Sequence, residues 1–166
     1  MKIRLLLTTI VAAFAALGFG CSKKESSTGA AAPAAAAQAG PRTIEITAGD
    51  NMKYNVTSIE AKPGEELKIV LTNIGNQPKE VMGHNWTLLK AGSDAAAFDA
   101  AAVNAKATDY FPESLKDEVI AHTALVGPHK SDEITFKVPE TPGEYPFLCT
   151  FPAHYQVGMK GTLTVR

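Results

Sequence analysis

Four side chains of this 166-residue chain could bind a soft metal ion, and they fall in two short stretches. CTFPAHYQVGM carries Cys149, His154 and Met159, and VMGHNW carries His84. Neutral imidazole and thiolate together suit copper or zinc, and a thioether moves the balance towards copper. The Pro and Gly in the first stretch argue against a helix there. Cys149 is read as ending one strand and Met159 as preceding another, so a hairpin-like loop bends three donors around one point. Pro152 is expected to stiffen that loop and Gly158 to permit a tight approach. His84 must then come from elsewhere in the scaffold.

Each of these residues has an ordinary reading when taken alone. Cysteine and methionine are common core residues, and a histidine on an apolar strand is most often a hydrogen-bonded core residue. Their joint occurrence favours a metal. A Cys/His nucleophile pair would need an open oxyanion site and a third orienting group, whereas the partners of Cys149 here are better used as ligands. The chain is therefore not expected to be an enzyme. His122 and His129 lie outside both stretches and read as solvated surface residues, as does the Lys116-Asp117-Glu118 run.

The compartment sharpens the question about Cys149. Residues 1–20, MKIRLLLTTIVAAFAALGFG, join Lys2 and Arg4 to an apolar run too short for a comfortable membrane span, the pattern of an export signal. The following Cys21, after Gly20, resembles the lipidated cysteine of a bacterial lipoprotein, although Gly18 stands where such signals usually place leucine. Residues 21–41 are rich in Ala, Ser, Gly and Pro and are expected to form a disordered tether. By coil statistics such a tether lets a domain range about 25 Å from a membrane. Lipidation of Cys21 leaves Cys149 without a disulfide partner, since the chain has only two cysteines. An orphan thiol in an exported protein raises the case for a metal. Net charge is −1, or −3 without the leader's two basic residues. With no basic block, neither nucleic acid nor an anionic membrane surface is indicated as a partner.

The donors must be positioned by residues 42–166, enough for one domain with one core. Apolar residues alternate with period two in Thr43–Thr47, Glu66–Leu71, Ser131–Val138, Gly143–Cys149 and Gly161–Val165, separated by Gly, Pro and Asn turns. That pattern predicts an antiparallel sandwich or barrel. Val81–Trp86 reads as the start of a strand after the Asn76–Pro78 turn. Ser93–Val103 is alanine-rich and predicts one inserted helix, capped by Ser93 or Asp94, with an irregular segment through Pro112.

NQPKEVMGHNW, IAHTALVG and CTFPAHYQVGMKGTLTV resemble the azurins, blue copper proteins of the cupredoxin fold, and in particular their lipid-anchored type. The resemblance covers Arg42 to Arg166 and implies an all-β, eight-stranded Greek-key barrel or sandwich. It implies one copper ion cycling between Cu(II) and Cu(I), with His84, Cys149 and His154 as equatorial ligands. Met159 takes a distant axial position, and the Gly83 backbone carbonyl approaches from the opposite side. By the same resemblance, Asn85 pins the cysteine loop and Phe151 shields the sulfur, while Trp86 is the buried core indole. Single-electron transfer follows, with redox proteins such as cytochromes, reductases or peroxidases docking at an apolar, uncharged patch. That patch is the exposed edge of His154, surrounded by Met82, Phe151, Pro152 and Val157. The expected location is the periplasmic side of a bacterial membrane, held by the Cys21 lipid.

Three departures stand out. His154 and Met159 are separated by four residues, one more than in azurins and as in auracyanin and rusticyanin, so the loop must bulge by one residue. The N-terminal disulfide of azurins is absent. The position of a titrating histidine in many azurins is Ile74, so little pH dependence of potential is expected from there. A copper store or donor of the periplasm is the alternative function, and a structural zinc site a weaker one.

Overall fold

The computed structural model describes residues 40–166; the expected export signal, Cys21 and the expected tether as far as residue 39 lie outside the described residues. Eight strands form two sheets: β1 (Arg42–Ala48), β2 (Ser58–Ala61), β3 (Glu66–Asn73), β4 (Thr87–Leu89), β5 (Val119–His122), β6 (Ser131–Lys137), β7 (Gly143–Leu148) and β8 (Lys160–Val165). One sheet has the order β1-β3-β6 and the other β2-β8-β7-β4-β5. The count and the two-sheet architecture match the expectation, but purely antiparallel pairing does not. β1 runs parallel to β3, and β2 parallel to β8. Alternation of apolar residues reports which face is buried, and that is the same for either strand direction.

The pleat sorts the chain as its sequence suggests. Leu67, Ile69 and Leu71 of β3 are buried while Glu66, Lys68, Val70 and Thr72 are not. In the core Trp86 packs between Phe136 and Phe147, with ring centroids 5.9 Å and 5.4 Å away. At such distances aromatic pairs add to simple area burial. β4 is buried at all three residues, and its period-two signal is lost because both of its faces are covered. Leu89 on it packs with Phe98 and Leu148 in a second apolar cluster outside the main core.

Val81–Trp86 is not the start of a strand. Lys79–Met82 is a single helical turn, α1, after Pro78, a residue suited to helix entry. His84 makes an isolated bridge to Val126, and pairing resumes only at Thr87. Phe98 belongs to α2 (Ala95–Ala102), the inserted helix, which begins where the Asp94 carboxylate accepts from the Ala96 and Ala97 amides at 3.0 Å each. Asp94 rather than Ser93 is thus its cap. The inserted helix is not alone: the segment expected to be irregular contains a 3-10 turn at Lys106–Thr108, and another spans Glu113–Glu118. His122, His129, Lys116 and Asp117 are exposed, as expected, whereas Glu118 of the same run is half-buried.

Candidate metal centre

His84 is held from both sides of its backbone. Its N–H donates to the Val126 carbonyl at 3.1 Å, and its carbonyl accepts from Val126 at 2.8 Å. The turn before it is clasped by Asn73, whose amide donates to the Met82 and Val126 carbonyls at 3.3 Å and 3.2 Å. Gly83 is required by packing, because a Cβ there would lie 2.7 Å from the Lys79 carbonyl oxygen and 2.9 Å from Leu125 Cγ.

The second stretch is a chain of turns. The Cys149 N–H donates to the Met159 carbonyl at 3.1 Å, closing the base of the loop where β7 leaves and β8 returns. Within it, Val157 donates to Ala153, Gly158 to Tyr155 and Met159 to His154, at 3.2, 3.0 and 2.9 Å. The last bond spans five residues, a wide turn that stands beside the closing bond between Cys149 and Met159. Gly158 serves by conformation more than by close approach. Its φ is +96°, a left-handed value unfavourable for other residues, while the nearest atom to a Cβ would be the flexible end of Lys53.

Tertiary folding brings the two stretches together. One ligand atom each from His84, Cys149 and His154 lies within 4.8 Å of the other two. Cys149 Sγ is 3.4 Å from His154 Nδ1, and the two imidazole centroids are 4.9 Å apart. Cys149 and His84 are fully buried, and His154 is 1% exposed. Met159 is buried in the same core cluster as Cys149 and Phe151.

Both ring nitrogens of His84 are buried and neither makes a hydrogen bond of normal geometry, although the Gly49 backbone lies close enough to oppose the effect of burial on its pKa. Stranding such a group costs free energy, about 1–3 kcal/mol, and a metal ion relieves it at the one nitrogen it binds. Burial lowers the pKa of both imidazoles to about 4, so both rings are neutral and free to coordinate. Burial also pushes the Cys149 thiol up to about 12, against backbone hydrogen bonds from Asn85 and Phe151. A thiolate there needs a cation beside it. Two neutral imidazoles and one thiol, dry and converging, fit a copper ion.

Around the donors, Asn85 pins the cysteine loop. Its side-chain amide donates to Thr150 Oγ1 at 2.7 Å, and its Oδ1 accepts from the Thr150 N–H at 2.9 Å. Phe151 lies 4.7 Å from the His154 ring, centroid to centroid. Trp86 is fully buried. Tyr54, which no motif announced, donates its hydroxyl to the Asn85 carbonyl. Thr123 clasps Trp86 through its Oγ1, which accepts from the Trp86 N–H at 2.9 Å. Neither could be read from sequence, because a Tyr or Thr in a loop carries no positional signal.

The expected exposed edge of His154 requires correction. Loop closure over the ring leaves it 1% exposed, with Phe151 at 7%; Met82 and Pro152 are only partly buried and Val157 is exposed. Nor is the surrounding surface free of charge, since the Lys53 ammonium donates to the Val157 carbonyl.

An eight-stranded, two-sheet sandwich gripping a buried His-Cys-His set defines a cupredoxin metal centre. The chain belongs to the plastocyanin/azurin family of copper-binding proteins, whose family model matches residues 42–166. It is 38% identical over 130 residues to azurin of Pseudomonas aeruginosa, an alignment covering 75% of this chain and 84% of that protein. It is 36% identical over 126 residues to auracyanin-B of Chloroflexus aurantiacus, covering 75% of this chain and 52%, about half, of that one. Among solved structures, reduced auracyanin from Roseiflexus castenholzii superposes with a TM-score of 0.68 at 38% identity, covering 76% of this chain and 99% of that one.

Proposed function

We propose that this protein carries single electrons between redox partners on the periplasmic side of a bacterial membrane, tethered there through Cys21, and that it catalyses no reaction of its own. The observation that supports this best is the burial of all three donors on separately fixed pieces of backbone. Copper bound there supplies the Cu(II)/Cu(I) couple. His84 rides on the Val126 bridge, Cys149 on the β7–β8 closure and His154 on the turn between them. Donors held this way move little between oxidation states, and low reorganisation favours electron transfer. Met159 and the Gly83 backbone carbonyl would complete the donor set that holds the ion. The backbone donors at the Cys149 sulfur and the surrounding dry packing tune the potential. A copper store or donor would be served by exposed, exchangeable ligands, whereas these are buried.

Partners are expected to meet the apolar surface around Val157, with a contribution from Lys53. Docking through such a small patch is weak and transient. The test is the visible spectrum of the copper-loaded protein together with its reduction by a one-electron donor. An intense sulfur-to-copper band that Cys149→Ser abolishes, bleaching and returning over repeated cycles, is the expected result. Absence of the band, or loss of copper on reduction, refutes the electron-carrier reading.

A further inference from the structure

One buried ionisable side chain is left unused by the metal centre. Asp99 of α2 is 1% exposed, and its Oδ2 accepts from the Gln156 side-chain amide, while Oδ1 has no protein partner. A carboxylate in such a place is costly to bury, and burial raises its pKa against the Gln156 hydrogen bond and the Lys160 charge. The helix it sits on reads AAAFDAAA, so Phe98 and Asp99 are its only side chains larger than a methyl. Both are directed at one target. Phe98 packs with Leu148 in a cluster that Tyr155 flanks, and Asp99 holds Gln156. The Lys160 ammonium stands over Tyr155, 4.0 Å from the ring centroid.

Tyr155 and Gln156 are the first two of the four residues between His154 and Met159. That stretch is the wide turn, held internally by three backbone bonds. Among the described residues, its side-chain hydrogen bonds to the body of the domain come from Lys53, on an exposed surface, and from buried Asp99. We infer that Asp99, acting through Gln156, is a positioning residue for the metal centre: α2 braces the lengthened ligand loop and so holds the spacing of His154 and Met159. The inserted helix thereby acquires a role in the site, and the extra residue in the loop is matched by a partner outside it. The inference rests on the copper centre described above, though not on electron transfer.

The test compares Asp99→Ala, Gln156→Ala, their double variant and Asp99→Asn, in which the amide oxygen can still accept from Gln156. Cu(II) affinity is read by competition with a chelator, the site by its charge-transfer band and electron paramagnetic resonance, and the loop by amide hydrogen exchange of 155–159 in metal-free protein. Each alanine variant should weaken Cu(II) binding about 10-fold, the scale for removing an outer partner of a ligand. Each should also alter the spectra and speed exchange in the loop. The double variant should be no worse than the more damaging single one, and Asp99→Asn should retain wild-type values. Gln156 is exposed and its alanine variant removes no core packing, so it carries the test even if Asp99→Ala fails to fold. Unchanged affinity, spectra and loop exchange in Gln156→Ala overturn the inference. So does a fall in thermal stability alone, additivity in the double variant, or Asp99→Asn behaving like Asp99→Ala. Because exchange is read without metal, failure of the brace is distinguishable from failure of the copper assignment.

Discussion

Asn85→Leu probes how the scaffold holds the cysteine loop. Leucine is close to asparagine in shape, so the substitution removes hydrogen bonds with little change in packing. Asn85 and Thr150 are 3% and 0% exposed, and the two bonds joining their side chains and backbone are 2.7 and 2.9 Å long. The change strands the Thr150 N–H without water, about 1–3 kcal/mol, and removes a second bond worth about 1 kcal/mol. The Tyr54 bond to the Asn85 carbonyl survives because it is made to backbone. The expected loss is about 3 kcal/mol, or a melting point lower by about 12 °C for a domain of this size. Urea unfolding of the metal-free protein reads it directly. Thr150→Val removes the other half of one bond, and the double variant should recover about 1 kcal/mol of coupling. In the copper-loaded protein the charge-transfer band should shift, since Thr150 adjoins Cys149. A cost under about 1 kcal/mol, or coupling of zero, would refute the view that this pair of bonds fixes the loop.

Three further outcomes can be checked. Met159→Leu should keep copper bound and raise the reduction potential, because losing a thioether donor favours Cu(I); voltammetry reads it, and complete metal loss would contradict an axial role. The metal-free protein should lose stability as pH falls. The lowered pKa values of His84 and His154 mean that the unfolded chain takes up protons first, so their contribution is present above about 6.5 and lost towards about 4, at about 3 kcal/mol per ring. Asp99, whose pKa is raised, works with the opposite sign; urea titrations at pH 7 and 4.5 measure the sum, and equal stability at both refutes the assignment. Cys21→Ala should move the protein from the membrane to the soluble fraction, and retention on the membrane would rule out the lipid anchor.

Much of the site is legible in the order of residues, because metal chemistry restricts residue types more severely than packing does. Cys149, His154 and Met159 crowd one short loop, and MGHN supplies the second imidazole with its neighbour Asn85. Period-two alternation reports β3, β6 and β8 because each buries one face and wets the other. It fails at β4, whose residues are buried all round, and at Ser58–Ala61, too short to show a period. It is silent on strand direction, since a pleat buries the same residues whether its neighbour runs up or down. Val81 and Met82 read as the start of a strand although they close the helical turn Lys79–Met82, because four residues are too few to reveal a period of 3.6.

The choice of His84, Cys149 and His154 as donors and the all-β class are set by residue types and their local spacing. Where these parts meet is a matter of tertiary structure. Val126 sits 42 residues beyond His84 and Asp99 57 residues before Gln156, and no local pattern links such pairs. The covering of His154 is tertiary too, because closing the loop over a hydrophobic core removes the ring from water whatever its own polarity. Burial and hydrogen bonding are properties of neighbours in space, and the fold alone chooses those neighbours.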